Sequence, residues 1–365
     1  AESQILRAST RAVESRVWKG LRIEGDRRLP TQRALYPCIE SVEGRLYCSE
    51  CRAGKIWLSE LDDNLELKST NEWIGPHMVD GKPCYQGQTQ MTVVGHKIYI
   101  SWKRTFHGDA PNARQCVASY DTRSGKIGKT FVIEPDKAGE SIYNGGIATV
   151  NGKLWVSYCR WRPTDKKGYR TTVTVRELDY EGRKLGPAFE LDSQPTQTPY
   201  GPFLSVFKDE KSGKEELIVC FTDYQAKVDM QPLWLVRFDG KRFHGLMTIS
   251  PNGYNQYAKG VQVGNRLLLI WKYGAPYPAR IFGRYMFHEI GMALVDPVGN
   301  TVEITPLTDD LKYNSSPDIT WHNGRLVFVY NKLEHLYGSR EDPAEMYGGF
   351  IGILTPVGGD KSKAK

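Results

Sequence analysis

Three stretches of the sequence end in an arginine that could bind an anionic ligand. They are RLYCSECR (45–52), KIYISWKR (97–104) and KLWVSYCR (153–160), and in each the arginine follows the first aliphatic residue by six positions. A guanidinium binds carboxylate or sulfate through paired, charge-assisted hydrogen bonds. Three such arginines at one level of a fold would form a site for an acidic ligand.

The same position recurs in three further stretches with different chemistry. With Leu46, Ile98, Leu154, Leu217, Leu267 and Leu326 aligned, the sixth residue onward is Arg52, Arg104, Arg160, Asp223, Tyr273 or Lys332. An even offset places all six on the same relative side of their strands. We expect Asp223 and Tyr273 to carry chemistry, and the arginines and Lys332 to bind substrate. The alternative is structural, with each residue bridging to a neighbouring element or binding loop carbonyl groups.

The elements that position these residues repeat along the chain. An aspartate that follows an apolar run recurs at intervals of 59, 58, 60 and 57 residues, at Asp62, Asp121, Asp179, Asp239 and Asp296. Each unit contains four strand-like segments, and most have a tight turn such as Asn-Gly-Lys (151–153). Four strands repeated six times predict an all-β fold, a six-bladed β-propeller of four-stranded blades. A pair of β-sandwiches would not explain a period that runs unbroken through the chain.

One domain is expected over residues 1–357. Its blades are placed at roughly 30–75, 76–135, 136–192, 193–250, 251–308 and 309–357. The last unit lacks a fourth strand, and RVWKGLRI (16–23) could supply it. We therefore predict that this N-terminal strand closes the last blade, which removes two open sheet edges. Residues 358–365 are interpreted as a disordered basic tail.

The long loops of a propeller with this strand order lie on one face. They follow the second strands, at 103–114, 159–170, 222–231, 273–287 and 331–349, and long loops on a rigid scaffold are usually functional. They add to the predicted site the residues Lys103, Arg162, Lys272, Tyr224 and either His107 or His335. A tyrosine also stands near the start of each blade, at Tyr36, Tyr85, Tyr143, Tyr200, Tyr257 and Tyr313. The aromatic residues Trp102, Trp161, Tyr224, Tyr273 and Tyr277 suit the apolar faces of sugar rings, whereas the tyrosines at the blade starts could simply wedge between blades.

The composition of the chain limits the classes of molecule that it is expected to bind. The net charge of +7 and the pI of about 8.9 favour an anionic partner. The basic residues are spread along the chain without a nucleic-acid-binding module, so an acidic oligo- or polysaccharide is preferred and nucleic acid is not expected. No apolar run reaches the length of a membrane span. The first residue is Ala1, which fits a secreted or periplasmic protein after signal removal, and we expect a monomer.

Seven cysteines are present, and Cys48 and Cys51 have the spacing of half a zinc site. No second half completes it, so no metal or other cofactor is expected. In an exported protein, Cys38 and Cys48 could form one cross-strand disulfide.

Two segments resemble a known family. YPCIESVEGRLYCSECRAG (36–54) resembles the first blade of sialidases and related BNR-type propellers, and KYNSSPDITWHNGRLVFVYN (312–331) is similar to the blade that supplies their catalytic tyrosine. The resemblance implies that role for Tyr313. The chain departs from the family at Leu35-Tyr36-Pro37, where an arginine would precede the proline. The repeated Ser-x-Asp box appears only in degenerate forms such as SYDTRSG (119–125), and no aspartate closely follows Arg52 as the acid/base.

These observations support a secreted carbohydrate-active propeller that acts on an acidic glycan. A hydrolase would use Asp223 or Asp109 as general acid and Tyr313 or a carboxylate at the anomeric centre. A polysaccharide lyase would use an arginine to neutralise a uronate, and a tyrosine or His107 to take the proton. The alternative function is a non-catalytic propeller that binds or scaffolds.

Overall fold

The computed structural model describes residues 13–76, 78–79, 82–105, 113–164, 169–181, 184–223, 230–274, 281–282, 285–286, 288–310, 313–333 and 347–357. All regular structure in these residues is β-strand. The strands form six antiparallel sheets of four strands or more, and these sheets are the blades of a propeller. The predicted fold class is confirmed.

The first half of the chain supplies a leading strand pair and three blades. The leading pair is β1 (Arg16–Trp18) and β2 (Leu21–Arg33). Blade 1 contains β3 (Leu35–Val42), β4 (Arg45–Arg52), β5 (Lys55–Leu61) and β6 (Leu67–Ile74), and the short pair β7 (Met78–Val79) and β8 (Lys82–Pro83) follows it. Blade 2 contains β9 (Tyr85–Val94), β10 (Lys97–Thr105), β11 (Arg114–Asp121) and β12 (Phe131–Ile133). Blade 3 contains β13 (Ser141–Tyr143), β14 (Ile147–Val150), β15 (Lys153–Pro163), β16 (Tyr169–Leu178) and β17 (Leu185–Glu190).

The second half supplies three more blades with short accessory strands. Blade 4 contains β18 (Pro199–Lys208), β19 (Glu215–Asp223), β21 (Leu233–Phe238) and β22 (Phe243–Ser250), and β20 (Met230–Gln231) pairs with β23 (Gly253–Tyr254). Blade 5 contains β24 (Gln256–Val263), β25 (Arg266–Tyr273), β28 (Glu289–Asp296) and β29 (Thr301–Pro306), with β26 (Ile281–Phe282) and β27 (Tyr285–Met286) in its long connection. Blade 6 contains β30 (Asn314–His322), β31 (Arg325–Leu333) and β32 (Tyr347–Pro356).

The N-terminal segment closes the ring, as the sequence predicts. Strand β2 pairs antiparallel with β32, with Leu21 opposite Pro356 and Ile23 opposite Leu354. The pairing continues beyond the predicted segment, since Arg28 lies opposite Phe350. Residues 16–18 form a fifth, outer strand on β2. The closing strand is therefore residues 21–33, and its edge is covered in turn by β1.

Six apolar clusters form the core, one between each pair of neighbouring blades. Between blades 4 and 5, for example, Ile218 and Leu235 pack against Leu269 and Trp271. Strands buried on both faces read as nearly continuous apolar runs, such as ELIVCF and RLLLIW. All seven cysteines are free and buried.

The suggested disulfide between Cys38 and Cys48 is absent. Cys38 lies opposite Ser49, and Cys48 lies opposite Ile39. Because side chains alternate along a strand, the two thiols point to opposite faces of blade 1. They accordingly pack in the clusters towards blade 2 and blade 6 respectively.

The innermost strand of every blade is irregular at the same level. One residue there has a positive φ, between 48° and 60°, and we call these six residues the axial ring: Tyr36, Gln88, Asn144, Gly201, Tyr257 and Ser316. A break or shift in the pairing with the second strand accompanies each one. Such bulges re-aim side chains. The residues two positions further on, here called the plug layer, are Cys38, Gln90, Gly146, Phe203, Lys259 and Asp318.

Candidate functional site

The six aligned residues of the sequence analysis lie together at one level of the propeller. Each stands at or near the end of the second strand of its blade, where the long connections begin. Their side chains, however, are held within and between blades. The structure therefore places this set around the loop-bearing face without bringing its members to a common point.

Arg160 and Arg162 belong to a cluster of ion pairs inside blade 3. The Arg160 guanidinium contacts Glu140 at 2.7 Å, Asp136 at 2.9 Å and Glu190 at 3.3 Å, and its side chain is only 8% exposed. Arg162 pairs with Glu190 and with Glu140. Three carboxylates already satisfy these two predicted substrate-binding residues.

Three other members of the set have internal partners too. Lys332 Nζ lies 2.6 Å from Asp310 Oδ2, and both side chains are buried. Asp223 accepts hydrogen bonds from the hydroxyl groups of Thr196 at 2.7 Å and Thr198 at 2.6 Å. Tyr273 is buried in the apolar cluster between blades 4 and 5, and burial raises its pKa. These environments resemble structural positions more than an open site.

Arg52 and Arg104 are more accessible. Arg52 lies over the Trp57 ring, 4.7 Å from its centroid, and 3.9 Å from the Glu50 carboxylate. Arg104 is half-buried, and among the described residues no carboxylate lies within ion-pair distance of it. The predicted residues His107, its alternative His335 and Tyr224, together with Asp109, lie outside the described residues.

The tyrosines converge on the propeller axis, at three different positions of the repeat. Tyr36 and Tyr257 belong to the axial ring, Tyr143 and Tyr200 precede it by one residue, and Tyr85, Tyr254 and Tyr313 by three. The Tyr36 ring contacts those of Tyr85 and Tyr257 edge-on, with centroids 6.3 and 5.9 Å apart. Gln88 donates hydrogen bonds to the hydroxyl groups of Tyr200 and Tyr257. Blades 1, 2, 4 and 5 thus meet across the axis.

This axial tyrosine cluster consists of Tyr36, Tyr85, Tyr200, Tyr254, Tyr257 and Tyr313. Burial raises the pKa of Tyr36 well above its usual value, and the phenols of Tyr257, Tyr85 and Tyr200 raise it further. Burial likewise raises the pKa of Tyr313. The phenols of Tyr36 and Tyr313 are therefore protonated at neutral pH. They offer both aromatic faces and hydroxyl donors, which is a combination that suits sugars.

Lys272 brings a charge into this cluster. It is 2% exposed, and its Nζ donates a hydrogen bond of 2.9 Å to the Tyr313 hydroxyl group. The ammonium also lies 4.4 Å from the centroid of the Tyr313 ring and 4.6 Å from that of Tyr254. Burial lowers the pKa of Lys272. A buried amine hydrogen-bonded to a phenol is a pair that can exchange a proton.

The plug layer closes the axis beneath the cluster. Lys259 extends from blade 5 across the centre, where its Nζ lies 2.8 Å from the Thr89 carbonyl oxygen of blade 2 and 3.7 Å from the Asp318 carboxylate. Its Nζ also lies 3.2 Å from Cys38 Sγ, and burial raises the pKa of that thiol to about 12. Lys259 therefore links blades 1, 2, 5 and 6 across the axis, next to the axial tyrosine cluster.

Of the residues around the axis, the sequence predicts a catalytic role for Tyr313, names Lys272 only as a nearby cation and gives no sign of Gln88 or Lys259. Lys272 directly precedes Tyr273, one of the six aligned residues. Because adjacent residues face opposite sides of a strand, the residues before the aligned set form a second ring of candidates, which includes Lys272. Among the described residues, no group of three or more His, Cys, Asp and Glu side chains could hold a metal ion. No helix in that part of the chain is long and apolar enough to cross a membrane.

Comparison with known proteins identifies the fold. No family model matches the sequence, and no curated protein matches it. Among solved structures, Trypanosoma rangeli sialidase superposes with a TM-score of 0.60 over 88% of this chain and 55% of its own, at 12% identity. The chain has the sialidase-type propeller fold. It spans little more than half the length of that sialidase, and the same holds for the sialidase in complex with sialic acid (TM-score 0.60, 12% identity, 96% and 58% covered).

A second propeller matches over nearly its full length. The endo-arabinase from Bacteroides thetaiotaomicron superposes with a TM-score of 0.50 and 11% identity, over 91% of this chain and 97% of its own. Identities this low establish the architecture alone, because unrelated functions share propeller folds.

Proposed function

We propose that this protein is an exported carbohydrate-active enzyme that cleaves an acidic glycan in the axial funnel. The observation that carries the proposal is the hydrogen bond of 2.9 Å between the buried Lys272 and the partly buried Tyr313, within the axial tyrosine cluster. The sialidase-type fold of the chain, and the fact that its structural neighbours are a sialidase and an arabinase, agree with a carbohydrate substrate.

The pair supports elimination at a uronate. In that reaction the uncharged form of Lys272, which burial favours over the ammonium, accepts the proton of Tyr313, and the resulting phenolate takes the proton next to the substrate carboxylate. The same phenol then gives that proton to the departing glycosidic oxygen, and the Lys272 ammonium returns its own proton to the phenolate, so the pair ends as it began. A cation such as Arg104 would neutralise the carboxylate and thereby acidify the adjacent C–H bond.

Hydrolysis is the second candidate, and it is favoured by the place of Tyr313 in the sialidase-like segment. A tyrosine can act as the nucleophile of a retaining glycosidase. That route also needs a general acid. Asp223 is the candidate general acid that lies within the described residues, and its carboxylate accepts hydrogen bonds from two threonine hydroxyl groups. Elimination requires no carboxylate, so we rank it first.

The test is an assay on polygalacturonate, alginate, chondroitin sulfate and heparin, with neutral arabinan as the control polysaccharide. New reducing ends report cleavage, and ultraviolet absorbance of an unsaturated uronate separates elimination from hydrolysis. Tyr313→Phe should reduce turnover at least about 100-fold, the size expected for a lost acid–base group. Tyr120→Phe is the matched control, because Tyr120 packs against Trp73 away from the axial cluster. Binding without turnover of any of these acidic glycans would instead support a binding module.

A further inference from the structure

Two lysines occupy the same position of the repeat in different blades. Lys103 in β10 pairs with Gly87, and Lys272 in β25 pairs with Gln256. Gly87 and Gln256 each directly precede the axial-ring residue of their blade, so the two lysines are equivalent. They belong to blades 2 and 5, which face each other across the axis of a six-membered ring.

Both ammonium groups lie over a tyrosine of the following blade. Lys103 Nζ is 5.9 Å from the centroid of the Tyr143 ring, and Lys272 Nζ is 4.4 Å from that of Tyr313. The equivalent residues of the other four blades are uncharged: Cys51, Cys159, Thr222 and Asn331. The charge at this level is therefore confined to two opposite sides of the ring.

Neither the buried Lys272 nor the partly buried Lys103 has a carboxylate partner among the described residues, unlike the buried lysines Lys259 and Lys332. Lys259 is paired with Asp318, and Lys332 is paired with Asp310. A buried ammonium without a counter-charge is costly. Burial accordingly lowers the pKa of both unpaired lysines, that of Lys103 to about 8. An anionic ligand would supply the missing counter-charge at each position.

We infer that the funnel has two acid-binding subsites, at Lys103 and at Lys272, and that its ligand carries acidic groups on two different sugar residues. This inference rests on the proposed function and narrows its substrate class to a polyanionic glycan bound across the axis. The axial-ring tyrosines Tyr36 and Tyr257 lie between the two sides and can stack on the intervening sugar. A ligand with one acidic group fills only one subsite.

The test measures affinity against ligand length. Oligogalacturonates of one to four residues, and a chondroitin sulfate tetrasaccharide, are titrated by calorimetry into the wild type, Lys103→Met, Lys272→Met and the double variant. Lys153→Met is the matched control, because Lys153 is exposed, pairs with Glu177 and begins its strand at the opposite face. The longer oligosaccharides should bind at least tenfold more tightly than the monosaccharide. Lys103→Met and Lys272→Met should each bind the longer oligosaccharides about 10- to 100-fold more weakly than the wild type does, the range for loss of a hydrogen bond to a charged group.

Several results would overturn the inference: no gain in affinity with length, a gain that survives Lys103→Met, or no binding of any of these ligands. Tighter binding of a single-stranded oligonucleotide would overturn the glycan assignment. The two proposals also fail separately. Cleavage with unchanged affinity in Lys103→Met removes only the two-subsite inference, whereas length-dependent binding without cleavage removes only the enzymatic proposal.

Melting of the ligand-free protein provides a second measurement. Replacing a buried or partly buried ammonium that lacks a counter-charge by methionine removes its desolvation cost, so Lys272→Met and Lys103→Met should melt no lower than the wild type. Lys259→Met removes one partner of the buried pair with Asp318 and should melt lower. Equal losses in all three variants would show that Lys103 and Lys272 are structural, and would overturn the inference.

Discussion

Replacement of Arg160 by methionine tests whether this arginine is structural or binds substrate. Its guanidinium lies in a buried ion cluster with Glu140, Asp136 and Glu190. Removing one partner of a buried pair costs about 3–5 kcal/mol, because a charge is left buried without compensation. Glu140 keeps one contact, at 3.3 Å from Arg162 Nε. We therefore expect the lower end of that range, about 3 kcal/mol.

The expected loss can be measured as a melting shift. Unfolding entropy near 60 °C is about 2.1 cal/mol/K per residue, so the 365-residue chain gains roughly 0.8 kcal/mol/K, and 3 kcal/mol corresponds to about 4 °C. Calorimetric melting of Arg160→Met is compared with that of Arg104→Met. Arg104 has no carboxylate partner among the described residues, so its loss should cost less than about 1 kcal/mol.

A double-variant cycle with Glu140→Gln isolates the pair. If the Arg160–Glu140 contact is the source of the loss, the two changes together should cost less than the sum of the single changes. Melting of Arg160→Met within about 0.5 kcal/mol of the wild type, the range of ordinary surface substitutions, would refute the structural reasoning. Loss of glycan affinity in such a stable variant would return Arg160 to the binding site.

Three further predictions concern the fold. Deletion of residues 13–33 removes the buried Leu21, Ile23 and Leu29 and opens the edge of β32, so cooperative melting should be lost; an unchanged melting curve would disprove ring closure. Gly145→Ala drives a Cβ atom into the Ser157 carbonyl group and should cost several degrees of melting temperature, whereas Gly95→Ala, in an open turn, tests only backbone strain. Burial lowers the pKa of His322, which contacts Ser41 and Asp63 across the junction of blades 6 and 1. The unfolded chain then binds the proton first, so stability should fall as the pH drops below about 6.5, and His322→Gln should flatten that slope in urea titrations.

The architecture could be predicted because its signals are local and repeated. The spacing of Asp62, Asp121 and Asp179 reflects one turn per blade, and tight Gly-containing turns mark the hairpins. The closing strand was found because one blade lacked a strand. The full length of this strand could not be predicted, because the irregular pairing between Arg28 and Arg33 interrupts the alternation of apolar and polar residues.

The site was less accessible to sequence reasoning, for a geometric reason. An even offset correctly places Arg52, Arg104 and Arg160 on the same side of their strands, but sequence does not say whether that side faces the axis or a neighbouring blade. The Arg160 carboxylate partners come from the segment before β13 and from β17, which no short-range pattern connects.

The axial ring was hidden for another reason. Its positive-φ residues include tyrosine, glutamine, asparagine, glycine and serine, so no single residue type marks the position. Positive φ is ordinarily associated with glycine and asparagine. The bulge that turns Tyr36 and Tyr257 towards the axis therefore becomes visible only when the six blades are compared in three dimensions.

Binding of an acidic glycan at the axial tyrosine cluster is tested most directly by a structure of the protein with a bound acidic oligosaccharide. The Tyr313→Phe variant should be used, because it should cleave the oligosaccharide too slowly to lose it. We expect sugar rings over Tyr36 and Tyr257, with one acidic group of the ligand at Lys272 and a second acidic group at Lys103. A ligand bound between blades, or on the hairpin face away from the axial tyrosine cluster, would contradict it.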